Sequence, residues 1–178
     1  LNYTHVDGIF TANPDLVHEA QIIENLSYEE ANELANFGAK VLHAKTIIPL
    51  IEKNIPLRIL NTFNPGSKGT LISAKAQEEG IKSLSVIENV SLVNLEGRGL
   101  LGKAGIDARI FNALGRRNIS VGIISQGSSE RGIGLVVDAD RAFEAKKALD
   151  DEFETDYSAK DVNAISIVKD VAVISIVG

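Results

Sequence analysis

Between Gly97 and Gly105 the chain reads Gly-Arg-Gly-Leu-Leu-Gly-Lys-Ala-Gly, and a helical pattern follows at once. Unbonded N–H groups at a helix start carry partial positive charge and attract a carboxylate or a phosphate. Glycines let the backbone come close to such a ligand, and Lys103 can add a full charge. The run Ile119-Ser-Val-Gly-Ile-Ile-Ser-Gln126 reads as a strand ending beside this loop, in a side chain with two donors and an acceptor. Together the two segments can hold an amino acid. Helix amides would take its carboxylate, and strand carbonyls or Gln126 its ammonium. Close packing of a helix on a sheet would call for the same glycines, and Ser128-Ser-Glu-Arg131 reads as a polar hairpin turn.

Other chemistries find little support. The spacing is not that of a P-loop, since no Gly-Lys-Ser/Thr follows a four-residue gap. Nor is it a clean dinucleotide fingerprint, because no acidic residue is placed for a ribose. His5, His18 and His43 lack metal-ligand spacing. No nucleophile elbow frames a triad, and no interleaved aromatics suggest base stacking. Lys40, after Phe-Gly-Ala, stands out among the basic residues of the first half, although a solvated lysine at a helix end fits it as well.

The elements that would position these residues follow from periodicity. Hydrophobic residues make up 44% of 178 residues and aromatics only 5%, so Ala, Ile, Leu and Val carry the packing. Ser27-Tyr-Glu-Glu30 is a capping box that predicts a helix over 28–37. A second helix is expected over 46–53, a strand over 55–60, a turn at Asn64-Pro65-Gly66 and a short strand over 70–72. Strands are then expected over 83–87 and 90–95. The helix after the loop runs to Arg117, with Ile106, Ile110, Ala113 and Leu114 inward, Phe111 beside them, and Asp107, Arg109, Asn112 and Arg116 on the opposite face. Strands over 119–125 and 133–137 follow, then a helix capped by Asp138 or Asp140 and running to Phe153, then a strand over 162–168. That order is β-α-β-β-α-β, the ferredoxin-like arrangement. Val90–Gly97 and Val171–Gly178 share an apolar strand ending in glycine, so a second such unit is expected to begin at 171.

The net charge of −6 argues against nucleic acid and anionic membrane as partners. The chain has no cysteine, which rules out a disulfide frame and makes a cytoplasmic location the default. No apolar run is long enough to span a membrane. The first residue is Leu1 and not Met, in mid-motif, which reads as part of a longer chain.

Several motifs, in order, resemble aspartate kinase. Thr4-His-Val-Asp-Gly-Ile-Phe-Thr-Ala-Asn-Pro14 is similar to the family's nucleotide-binding segment, and Phe37-Gly-Ala-Lys-Val-Leu-His43 to its second nucleotide-contacting motif. Asn61-Thr-Phe-Asn-Pro and Gly69-Thr-Leu-Ile72 resemble the end of its catalytic domain. Leu100–Gly105 and Ile119–Gln126 resemble its first ACT regulatory domain.

The resemblance implies an α/β (α+β) chain. Residues 1–74 would be the tail of an amino-acid-kinase domain, 75–80 a linker and 81–170 an ACT domain. The strand 81–87 would be shared with a second ACT domain whose first strand is 171–178, and the two would pair. It also implies ATP-dependent phosphorylation of L-aspartate by the parent protein, with Mg2+ accompanying ATP. Feedback inhibition by L-threonine or L-lysine would act at an ACT interface, in a homodimer. The implied nucleotide contacts are Thr4, His5, Gly8, Phe10, Asn13 and Lys40. The implied effector contacts are Leu101, Gly102, Lys103, Gly105, Ile106, Asp107, Val121, Gly122 and Gln126.

Two positions depart from the family pattern. His5 stands where the family has Asp, and Asn13-Pro14-Asp15, with Phe10 before it, stands where the family has Tyr and then Asp-Pro-Arg. Both changes weaken charge complementarity to ATP and suggest, as an alternative, a non-catalytic regulatory subunit. This stretch alone is expected to bind no cofactor tightly and to phosphorylate nothing. Gln126 with Ser128-Ser-Glu130, and Asn61-Thr62, look more like the bifunctional, threonine-responsive group with a fused homoserine dehydrogenase.

Overall fold

The capping box forms as its spacing predicts. In the computed structural model Ser27 Oγ accepts from the Glu30 N–H at 3.1 Å, and Glu30 Oε2 accepts from the Ser27 N–H at 2.7 Å. The structure describes residues 1–37, 41–75, 80–100, 103–126 and 132–178. It divides into two units: Leu1–Ile87 with Val173–Gly178, and Glu88–Ala172.

The first unit carries β1 (Asn2–Thr4), β2 (Asn25–Ser27), α1 (Tyr28–Asn36), α2 (Ala44–Lys53), β3 (Leu57–Asn61) and β4 (Thr70–Ser73). Its sheet order is β1-β3-β4-β2. β1 and β2 lie parallel to their neighbours, and β3 and β4 are antiparallel. Leu26, Leu34, Ile47, Ile59 and Ile72 are fully buried in its core. α2 starts two residues before the expected helix because His43 caps it, Nδ1 accepting from the Lys45 N–H at 3.2 Å. It ends where Asn54 turns left-handed at a φ of 49°. Asn54 N–H then donates to Ile51 O and Ile55 N–H to Leu50 O, the paired bonds of a Schellman closure. Ile55 is thereby spent on the closure, and the strand begins at Leu57.

The second unit takes most of β5 (Ser83–Glu96) and part of β8 (Ala164–Val177). Between them lie α3 (Ile106–Gly115), β6 (Ile123–Gln126), β7 (Gly132–Asp138), α4 (Ala142–Glu152) and α5 (Glu154–Ser158). The sheet order β6-β7-β5-β8 is that of a ferredoxin-like sheet, with β7 antiparallel to both β5 and β6. Val93, Leu95, Ile110, Leu114, Leu135, Leu149 and Phe153 are fully buried in one cluster. At roughly 25 cal/mol per Å2 of apolar area, such side chains dominate the stabilisation of the unit.

Several sequence expectations need correcting. The strands expected over 83–87 and 90–95 are one strand, and so are 162–168 and 171–178. Each polar interruption is a residue that tolerates a positive φ, Asn89 at 58° and Asp170 at 56°, so the backbone passes through it without ending the strand. The strand expected over 119–125 begins only at Ile123. Asn118, at a φ of 52°, closes α3 with Asn118 N–H on Gly115 O and Ile119 N–H on Leu114 O, which commits Ile119 to the helix end. Neither Asp138 nor Asp140 caps α4, because a 3-10 turn over Ala139–Arg141 leads into it instead. Phe111 lies 40% exposed, not in the core.

Candidate functional site

α3 begins after Gly105, whose φ of 88° is a conformation that a Cβ disfavours. Among the described residues no side chain caps the helix, which leaves the first-turn amides of Ile106 and Asp107 to water or a ligand. Asp107 is exposed, while Ile106 turns into the core. Val121 packs against that same core, and Gly122 N–H donates to Val136 O at 2.8 Å. Gln126 is exposed at the end of β6, opposite Ile133 of β7. The core cluster thus joins the start of α3 to the approach to β6 through Ile106 and Val121. Among the described residues no side-chain hydrogen bond ties Gln126 to the helix start. Leu101 and Gly102 lie outside the described residues, as does the expected turn Ser128–Arg131.

Lys103 is not a free charge. Its Nζ donates to Asp161 Oδ2 at 3.2 Å and to Asp156 Oδ1 at 3.3 Å. Asp161 first, and Asp156 after it, raise its pKa above the ordinary lysine value. Asp156 is only 6% exposed and takes Arg109 on both oxygens, Nη1 at 3.2 Å and Nη2 at 2.8 Å. Arg109 holds the Asp156 carboxyl below the ordinary aspartate range. Burial opposes this, and Lys103 adds to it.

Arg109 also donates from Nε to Glu152 Oε1 at 2.9 Å and from Nη2 to Glu152 O at 2.8 Å. Its guanidinium carbon lies 4.3 Å from the centre of the Phe153 ring, at cation–π distance. Periodicity put Arg109 on the solvent face of α3, but the structure half-buries it against residues of α4 and α5. Asp156 and Asp161 escaped the sequence reading because they sit in a short polar stretch with no periodicity, 53 and 58 residues from Lys103.

Asp161 meets the loop at a second point. Its carbonyl oxygen accepts from the Gly99 N–H at 3.0 Å, and its carboxylate fills the space a Gly99 Cβ would need. A Cβ on Gly97 would collide with the backbone of Asp161 and Val162. Gly97 and Gly99 therefore serve close packing, the use the sequence left open, whereas Gly105 serves backbone conformation.

In the first unit the described nucleotide candidates follow β1, which runs parallel to β3 with Thr4 opposite Asn61, and the carboxyl ends of such strands are where α/β sheets bind ligands. Thr4 Oγ1 is engaged with Val6, accepting from its N–H and donating to its carbonyl, both at 3.1 Å. His5 is exposed. Gly8 lies under Thr70, whose Oγ1 accepts from the Ile9 N–H at 2.8 Å. Phe10 bridges to Ile22, and Asn13 Oδ1 accepts from the Asp15 N–H at 3.1 Å. Lys40 lies outside the described residues. Two residues outside the implied nucleotide contacts hold this turn. Asp7 Oδ1 accepts from Asn61 Nδ2 at 2.7 Å and Asn64 Nδ2 at 3.1 Å. Buried Ser83 donates from Oγ to Phe10 O at 3.0 Å and Thr11 O at 3.1 Å.

Residues 1–61 match the amino acid kinase family model, and residues 93–153 match the ACT domain model. The chain is 39% identical, over 178 residues, to the bifunctional aspartokinase/homoserine dehydrogenase of Haemophilus influenzae. The alignment covers 99% of this chain and 22% of that protein. Over nearly its whole length the chain aligns with part of an aspartate kinase, a kinase segment followed by an ACT domain. Two solved aspartate kinases resemble it in structure. The aspartate kinase of Clostridium acetobutylicum is 27% identical with a TM-score of 0.81, over 99% of this chain and 41% of that one. E. coli aspartokinase III, in complex with lysine and aspartate, is 29% identical with a TM-score of 0.76, over 98% and 38%. The same enzyme with aspartate and ADP gives 27% and 0.77, again over 98% and 38%.

The chain thus spans about a fifth of the length of the curated aspartate kinases it matches. Among the described residues no helix is long and apolar enough to cross a membrane, and no group of three His, Asp or Glu side chains is arranged to hold a metal. His5 and Asp15, the two departures from the family pattern, are both exposed, so neither is forced by packing.

Proposed function

We propose that the parent protein transfers the γ-phosphoryl group of ATP, accompanied by Mg2+, to the side-chain carboxylate of L-aspartate, and that this stretch carries its feedback control. The observation that carries this reading is the order of two matches on one chain, amino acid kinase at 1–61 and ACT at 93–153. E. coli aspartokinase III, solved with lysine and aspartate and with aspartate and ADP, lends the ligand classes. In transfer, a new P–O bond forms to the aspartate carboxylate as the bond to ADP breaks. The backbone of residues 4–15, held by Asp7 and Ser83, would face the nucleotide with Thr4, His5, Gly8, Phe10 and Asn13.

The effector, threonine or lysine, would place its carboxylate on the first-turn amides of α3 and its ammonium toward the β6 end at Gln126. Residues 81–170 then form the first ACT domain, and 171–178 open a second. Lys82 N–H donates to Val177 O at 2.7 Å, which supports the pairing of 81–87 with 171–178. A homodimer through the ACT domains, a fused homoserine dehydrogenase and a cytoplasmic location belong to the same reading. The relatives do not favour the non-catalytic subunit that His5 and Asp15 suggest.

Calorimetric titration of threonine and of lysine into the full-length protein is the direct test. We expect heat from one of the two and lowered aspartate phosphorylation at the same concentrations. No heat from either removes the effector site. Absence of ATP turnover with L-aspartate by the full-length protein removes the kinase.

A further inference from the structure

The glycine loop offers amides to a ligand only if its backbone is already in place when the ligand arrives. Two points near the ends of the turn, Gly99 and Lys103, meet the same residue, Asp161. The carbonyl of Asp161 accepts from the Gly99 N–H at 3.0 Å, and its Oδ2 accepts from Lys103 Nζ at 3.2 Å. Its side chain also fills the space that glycine leaves at position 99.

Asp161 is itself aimed by its own backbone. Lys160 turns left-handed at a φ of 60°, Lys160 N–H bonds Tyr157 O at 3.0 Å, and Asp161 N–H bonds Asp156 O at 2.9 Å. This is the closure that ends α2 and α3 at Asn54 and Asn118, used here to turn a carboxylate back toward the loop. Behind it the Asp156–Arg109 pair braces α5 against α3 at 2.8 Å.

We propose that Asp161 is a positioning residue of the effector site, acting through Gly99 and Lys103 to pre-order the turn into α3. The inference rests on the reading of that turn as an amino-acid site and gives Lys103 a different part in it. The ammonium group is the loop's own anchor, and the ligand carboxylate is left to the helix amides. Holding a binding loop in its bound shape lowers the ordering cost that association would otherwise meet.

Four variants of the full-length protein test this: Asp161→Asn, Lys103→Gln, the two together and Asp161→Glu. Asp161→Asn keeps the size and the backbone bond but loses the charge. With the amino acid that gives heat for the parent, affinity falls about tenfold, the scale of one partly exposed charge-assisted hydrogen bond. Asp161→Glu recovers part of it. The double variant loses less than the two single losses combined, because both remove one interaction. Without ligand, amide exchange at Gly99 and 103–107 speeds up in Asp161→Asn, while exchange within α4 is unchanged.

Equal affinity of parent and Asp161→Asn overturns the proposal. So does strict additivity in the double variant, which would mean that Lys103 meets the ligand independently. If the parent binds neither threonine nor lysine, the effector reading falls instead. The exchange measurement then still decides the positioning role, and unchanged exchange at Gly99 and 103–107 refutes it.

Discussion

The turn over residues 4–15 and the loop over 97–107 both present backbone beyond a strand end, yet they are held by different physics. The first is held mostly by neutral donors. Amides of Asn61 and Asn64 meet Asp7, and the Ser83 hydroxyl meets two carbonyls. The second is held by full charges: Lys103 and Arg109 against Asp156, Asp161 and Glu152. Hydrogen bonds from neutral donors contribute about 1 kcal/mol net each. A charge network concentrates its effect in its most buried member and makes the loop sensitive to whatever neutralises that member.

Removing that member should have the largest effect. Asp156→Ala leaves Arg109 and Lys103 facing each other without their carboxylate and should cost about 3 kcal/mol, the scale of breaking a buried ion pair. Asp7→Ala, at the other region, should cost about 1 kcal/mol. Urea unfolding of both variants makes the comparison, and equal losses would erase the distinction.

Acid sharpens it. The folded Asp156 carboxyl lies below its ordinary 3.8, so its contribution is present above about pH 4 and is lost as pH falls through the folded value. The parent should lose stability below about pH 4 more steeply than Asp156→Asn. At the alkaline end, burial first and Asp150 second push Tyr157 up to about 12. Its contribution is complete below about pH 10 and lost between there and about 12, a loss that Tyr157→Phe should not show.

Next in size is Gly99→Ala. The new methyl would occupy the space of the Asp161 carboxylate, and overpacking of this kind costs about 2 kcal/mol. It should also release Lys103, so that salt no longer changes the exchange rates of residues 103–107. Gly8→Ala would meet Thr70 Oγ1 at 2.7 Å and Ile22 Cγ2 at 3.0 Å, and should cost a similar amount because the buried Thr70 hydroxyl could move only by giving up its bond from the Ile9 N–H.

What the sequence made legible follows the same division. Periodicity located α3 and α4 and their buried faces, and the capping box located α1, because those signals act over three or four residues. The order of elements in the second unit was legible for the same reason. The Lys103–Asp161 contact was not, since its members lie 58 residues apart and neither stands in a periodic pattern. The unbroken β5 was hidden because Glu88-Asn89 reads as a polar break, and only the backbone reveals that Asn89 adopts a positive φ within a strand. The strand expected over 83–87 gives Ser83 no special place. Its burial against the Phe10 and Thr11 carbonyls is a tertiary fact. Ser83→Ala should therefore cost about 1 kcal/mol and loosen the turn at 10–11 without touching the charged loop.

The smallest expected effect is a gain, and it separates the aim of Asp161 from its charge. Lys160 occupies the left-handed position of the α5 closure at a φ of 60°, where Asn54 and Asn118 serve α2 and α3. Lysine carries a Cβ penalty there that glycine does not, so Lys160→Gly should stabilise the protein by about 0.5 kcal/mol after glycine's entropy in the unfolded chain is counted. If the closure aims Asp161, relieving its strain should leave amide exchange at Gly99 unchanged or slower. Faster exchange at Gly99 in a more stable protein would mean that the strained backbone at Lys160 presses Asp161 onto the loop. The charged region would then owe its order to backbone strain as well as to its ion pairs, whereas the turn at 4–15 is held by Asp7 and Ser83.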